Sequence, residues 1–171
     1  MKKNLTNFFE GKSFNADEAG KIAVALERHG FRFYNDMKDR VRNEKIRPVF
    51  AQMAAEEQKH IADIEALLDG PGSEWYLDPA AEEMVQRYFE DYLEGKLFPA
   101  GSDAESVVMK LENEIAAVRL ALNFEKDAVA FYSDLARLAD DEETKKAFSL
   151  LREVEEGHVL TLSGLLELLE G

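Results

Sequence analysis

REVEEGHVLTL, residues 152–162, contains a Glu-x-x-His step at Glu155 and His158, and AAEEQKHIADI, residues 54–64, contains the same step at Glu57 and His60. The two steps stand 98 positions apart. Upstream of them, LERHGFRFY at 26–34 and NFEKDAVAFY at 123–132 place Glu27 and Glu125 at the same 98-residue offset, each followed seven residues later by a tyrosine, Tyr34 or Tyr132. Both halves keep 30 residues between their first and second glutamates. Glutamate is abundant in this chain, so a single Glu-x-x-His step carries little information. Two such steps, in register with a further glutamate and a Phe-Tyr pair, carry far more.

The offset extends beyond these positions. Phe50 maps onto Phe148, Met53 onto Leu151, Ile61 onto Val159, Ile64 onto Leu162, and Glu44 onto Glu142. Apolar matches follow from core demands in any helical bundle; the polar ones make the case for a duplicated unit. Apolar residues recur at helical spacing from about Asp17 to Arg42 (Ile22, Leu26, Phe33, Met37), which predicts a long amphipathic helix. A second is predicted from Asn43 or Arg47 to Asp69, with Pro48 in its first turn and Gly70-Pro71-Gly72 as its stop. A third runs to about Ala139 from a capping box at Ser102 and Glu105, and a fourth spans about Asp141 to Leu169. Between the pairs, residues 71–103 form a crossover insert, bracketed by prolines and glycines around one short helix from Ala80 to Leu93. The fold class is therefore all-α: a four-helix bundle of two helix hairpins, joined by a long crossover with one short extra helix. We expect residues 1–171 to form a single domain.

Bulk properties narrow the function. A formal net charge of −14 argues against a nucleic-acid partner, which needs clustered Lys and Arg. The absence of cysteine excludes a disulfide framework, a thiolate zinc site and an iron–sulfur cluster within these 171 residues. No stretch approaches the ~20 apolar residues of a membrane span, and the first residues lack a signal-peptide core. A soluble, cytoplasmic protein is expected, without nucleic-acid or membrane partners.

The spacing also predicts chemistry. Residues three apart on a helix share a face, so Glu57 with His60, and Glu155 with His158, present paired donors. Joined by Glu27 and Glu125, they make a set of four carboxylates and two imidazoles, the pattern of a dinuclear carboxylate bundle. Oxygen and imidazole donors without thiolate favour iron or manganese, and zinc would also bind. Four buried carboxylates without a cation would repel one another unless several kept their protons. Tyr34 and Tyr132 lie only ~20° off the face of Glu27 and Glu125, where a buried hydroxyl could bond a ligand carboxylate across the bundle; an aromatic core layer is the other reading. Gly30 and Ala128, one turn after those glutamates, either leave room at the site or serve helix packing. His29, roughly 200° round from Glu27, should point away from it. Gly157 weakens its helix, for which close approach of another helix is the available account.

The four quoted segments resemble the rubrerythrin branch of the ferritin-like superfamily over residues 20 to 169. That resemblance implies a ferritin-like bundle with a di-iron centre, ligated here by Glu27, Glu57, His60, Glu125, Glu155 and His158. It also implies reduction of hydrogen peroxide or dioxygen, or oxidation of ferrous iron, with an external redox protein as electron donor. Full-length members append a cysteine-ligated rubredoxin site, which a cysteine-free chain cannot form. Peroxide-reducing members carry a further carboxylate three residues after the third-helix glutamate, where this chain has Ala128. Iron handling or storage, and a bundle that binds metal without catalysis, stay open as alternatives. The aromatic-rich insert around Trp75, Tyr76, Tyr88, Phe89 and Tyr92 is either a homodimer contact or a lid over the bundle end.

Overall fold

A computed structural model of the chain describes residues 16–68, 79, 80, 83, 87 and 114–171. Four long helices appear, in the predicted order: α1 Ala16–Arg40, α2 Arg47–Leu68, α3 Glu114–Leu138 and α4 Glu142–Glu170. They make an all-α, ferritin-like bundle. Residues 79, 80, 83 and 87, which fall within or beside the predicted short helix, are helical. The capping box at Ser102 and Glu105 and the aromatic insert at Trp75, Tyr76, Tyr88, Phe89 and Tyr92 lie outside the described residues.

Local chemistry sets the helix ends. α1 stops two residues before the expected Arg42. Beyond it the chain turns at Asn43, whose backbone carbonyl accepts from Ile46 and Arg47 and whose side chain accepts from the Lys45 amide at 2.9 Å. Arg47 fastens this corner from the other side, donating from Nε and Nη2 to the Val41 carbonyl. Pro48 occupies the second position of α2, where its missing N–H is an orphan in any case. Asp141 caps α4: its carboxylate accepts the Thr144 amide at 2.8 Å and the Thr144 hydroxyl at 2.6 Å.

Packing is densest within each hairpin, α1 on α2 and α3 on α4. The hairpins meet antiparallel. Tyr34 reaches Glu125 while Tyr132 reaches Glu27, so α1 and α3 run in opposite directions past each other. His60 beside Glu155, and His158 beside Glu57, give the same sense for α2 and α4. The Asn43 amide, in the corner between α1 and α2, donates to Glu114 at the start of α3 at 2.8 Å. The ends that residues 69–113 connect therefore lie at opposite ends of the bundle, which is the task the long crossover serves.

The duplication is visible in the packing. Two apolar clusters fill the bundle. One is built around Ile22, Leu26, Phe131, Tyr132, Leu135, Phe148 and Leu151, the other around Phe33, Tyr34, Met37, Phe50, Met53 and Leu162. Tyr34 stacks on Phe50 at 6.0 Å and Tyr132 on Phe148 at 6.2 Å; Phe33 meets Tyr34 edge-on, as Phe131 meets Tyr132. The 98-residue offset thus repeats ring for ring.

Gly157 departs from expectation. Among the described residues, no atom of another element lies within 4 Å of the place its Cβ would take, so none of the four long helices approaches it closely. The residue sits on the exposed side of α4. Replacing it with alanine removes a helix-interior glycine at no steric cost. G157A should stabilise the chain by ~1 kcal/mol and raise the midpoint of a thermal melt by ~2–4 °C. A fall in that midpoint would mean that Gly157 has a packing role absent from the isolated chain.

Candidate metal centre

Between the two apolar clusters lie six polar residues, none more than 5% exposed: Glu27, Glu57, His60, Glu125, Glu155 and His158. All six come from the sequence repeat, and all converge. Their donor atoms form two overlapping groups that could each hold a metal ion, with every atom in a group within 4.8 Å of the others. Glu27, Glu57, His60 and Glu155 make one; Glu57, Glu125, Glu155 and His158 make the other. Glu57 and Glu155 are common to both, so each can reach either side, while Glu27 and Glu125 belong to one side each.

Both imidazoles turn Nδ1 inward. His60 Nδ1 lies 3.0 Å from Glu27 Oε2 and 3.4 Å from Glu155 Oε1. His158 Nδ1 lies 3.0 Å from Glu155 Oε2 and 3.6 Å from Glu125 Oε2. The rings are nearly parallel, 5.6 Å between centroids. On its outer side, His158 Nε2 meets Glu56 Oε2 at 2.7 Å.

The tyrosines brace this arrangement crosswise. Tyr34, from the first hairpin, donates to Glu125 of the second, and Tyr132 donates back to Glu27. Each bond fixes one oxygen of a carboxylate that serves a single side of the site. Burial, then the charge of Glu125, pushes the Tyr34 hydroxyl well up, which keeps it a donor at any ordinary pH. Both tyrosines are fully buried and also stack in the core, so the two sequence readings of them hold together.

Protons hold the site together when no cation is present. Burial pushes Glu27 and Glu57 far above the usual carboxylate range, and each also feels Glu155 and Glu125. Burial and then Glu155 raise Glu125 to about 8. Glu155 goes the other way: burial alone would raise it, but bonds from His158 and His60 bring it down to about 2. Burial would likewise lower His158, yet Glu125 and Glu155 push it up to about 12. Oxygens of Glu57, Glu125 and Glu155 remain buried without a hydrogen-bond partner. Orphaned carboxylate oxygens facing one another are costly in an apolar interior, and a divalent cation satisfies them. The donor set therefore fits metal.

Gly30 shows its purpose here. A Cβ at that position would stand 3.1 Å from the Glu57 carboxylate and 3.1 Å from Phe124. The missing side chain makes room for the carboxylate itself, and Ala128, buried in the neighbouring cluster, is the small residue at the repeat position. G30A should displace Glu57 by a few tenths of an ångström. We expect it to weaken metal binding by roughly tenfold, the lower bound for disturbing a ligand's support, while the helix content stays unchanged. Metal binding as tight as that of the unaltered chain would show that Phe124, and not Glu57, gives way. His29 is half-buried and belongs to neither donor group, in keeping with its place on the helix. Sequence reasoning missed Glu56, whose position beside Glu57 gave no sign that it would reach across to the other hairpin.

The rubrerythrin family model matches residues 21–166 of the chain. The chain belongs to the rubrerythrin family. Its fold is also similar to that of a solved hypothetical protein from Pyrococcus furiosus, with a TM-score of 0.60 and 24% identity over 91% of this chain and 90% of that one. No curated protein matches it. All six donors of this rubrerythrin-family chain fall within the matched span. Among the described residues, no helix is long and apolar enough to cross a membrane.

Proposed function

We infer that the chain is a di-iron carboxylate protein, acting as an oxidoreductase on hydrogen peroxide or dioxygen with an external electron donor. One observation carries the reading: two buried four-donor groups that share Glu57 and Glu155. Shared carboxylates suit a pair of cations held close together. Membership of the rubrerythrin family and the absence of thiolate donors favour iron, with manganese or zinc as substitutes.

Glu57 and Glu155, common to both groups, would be available to hold either ion. Glu27 with His60 would complete one side, and Glu125 with His158 the other. Bound as a pair, the irons supply the two electrons that reduction of a peroxide consumes. The chain's own part is to hold and exclude. The tyrosine hydroxyls keep Glu27 and Glu125 in place, and the two aromatic-lined clusters seal both ends of the donor layer from water. Gly30 keeps the space that Glu57 occupies.

A second reading, ferrous-iron oxidation and iron handling, draws on Ala128. This residue is buried one turn beyond Glu125, so the donor set has no seventh carboxylate there. One experiment separates the two. Chain loaded anaerobically with ferrous iron should hold two irons, and mixing with hydrogen peroxide in excess reductant should give repeated turnover. A single round of oxidation with no turnover supports iron handling; failure to retain iron removes both readings.

A further inference from the structure

The repeat that builds the donor layer is broken at one place just outside it. Glu56 accepts from the outward nitrogen of His158, Oε2 to Nε2 at 2.7 Å. The residue 98 positions later, which by the repeat stands in the same relation to His60, is Val154. Among the described residues, His60 makes its polar contacts through Nδ1 alone. The two imidazoles face matching inner donors but differ on their outer side.

This difference bears on how firmly each ring is held for a cation. A neutral imidazole has one N–H and one lone pair, and a hydrogen bond to one nitrogen fixes the role of the other. With Nε2–H donated to Glu56, the His158 ring is held with Nδ1 facing Glu125 and Glu155, so an entering cation has only the Nδ1 proton to displace. The ring is locked in orientation before any cation arrives. Among the described residues His60 has no such lock, and valine cannot provide one. Outer carboxylates on metal-binding histidines change affinity by roughly 10- to 100-fold.

We propose that Glu56 is a positioning residue for His158, and that it makes the two halves of the metal site unequal, with the His158 half loading first. The inference rests on the metal-centre reading above. It implies an order of filling in a site whose inner donors are nearly symmetric.

The test is calorimetric titration of the metal-free chain with zinc, together with nitrogen-15 NMR of the zinc-loaded histidines. Repulsion between two cations alone makes the second step weaker, so the change produced by substitution is decisive. In the unaltered chain two unequal steps are expected, with a hydrogen-bonded, slowly exchanging Nε2–H on His158. Glu56 is partly exposed, so its replacement leaves the core intact. E56V should weaken the first step roughly 10- to 100-fold, bring the two steps together and speed the exchange of the His158 Nε2–H with solvent. E56Q keeps an acceptor oxygen while removing the charge, so it should retain the protected Nε2–H and most of the difference. V154E should strengthen the second step instead. E56V that leaves both steps unchanged, or lowers both equally, overturns the proposal while the metal centre stands. An unaltered chain that binds no zinc overturns both.

Discussion

A chain carrying His60→Ala and His158→Ala together should lose stoichiometric metal binding while keeping its helices. Each histidine is the sole nitrogen donor of its four-donor group, so the double replacement leaves carboxylates alone on both sides. Carboxylates buried at close range repel one another and take up protons instead of a cation. Loss of both imidazoles also removes the bonds that bring Glu155 down to about 2, so that carboxyl joins the protonated group. The fold should survive because neither histidine belongs to the two apolar clusters that carry the packing. Circular dichroism and elemental analysis of the same sample check both halves. A double variant that still binds two metals per chain would mean that the ions sit elsewhere.

Metal should stabilise the chain more strongly as pH rises, with the metal-free form showing the opposite trend. The sign follows from proton uptake. Glu125, raised to about 8, holds a proton in the folded metal-free state that it gives up near pH 4.5 when unfolded. Between those values the folded state binds more protons, so stability falls as pH rises through that window. Glu27 and Glu57, raised by burial, act in the same direction. His158, raised to about 12, also favours the folded state at low pH, and its contribution is lost from pH ~6.5 upward. Glu155 opposes them only in acid: its contribution is lost as pH drops from 4.5 toward about 2. A cation replaces these protons, so binding releases them and tightens with pH. At free metal ~1,000 times the dissociation constant, the gain is about 4 kcal/mol, or roughly 10 °C in melting midpoint. Thermal melts with metal and with chelator, from pH ~5 to 8, check this. A metal-induced shift that shrinks with rising pH would contradict it.

Much of this centre was legible because helical spacing converts directly into position. The offset of 98 residues picked out the six buried residues that the fold brings together, and the seven-residue step from Glu27 and Glu125 brought out Tyr34 and Tyr132 as partners across the bundle. Helix ends agreed within a few residues wherever a cap was readable, as at Asp141. What escaped was whatever depends on contact between helices distant in sequence. Which carboxylates are common to both groups, which imidazole nitrogen turns inward, and the reach of Glu56 to His158 all depend on how α2 and α4 sit against each other. Gly157 misled for the opposite reason: its low helix propensity suggested a neighbour where the described residues leave open space.

The crossed tyrosines have a bearing on assembly. Contacts within a hairpin are short in sequence and form early, whereas those between hairpins close long loops and come late. Tyr34 and Tyr132 each fasten a carboxylate on the opposite hairpin, so neither hairpin holds a braced donor set by itself. Readiness to capture metal is therefore a property of the docked pair. Each four-donor group draws on both hairpins, so the donor layer is complete only once the two have packed together.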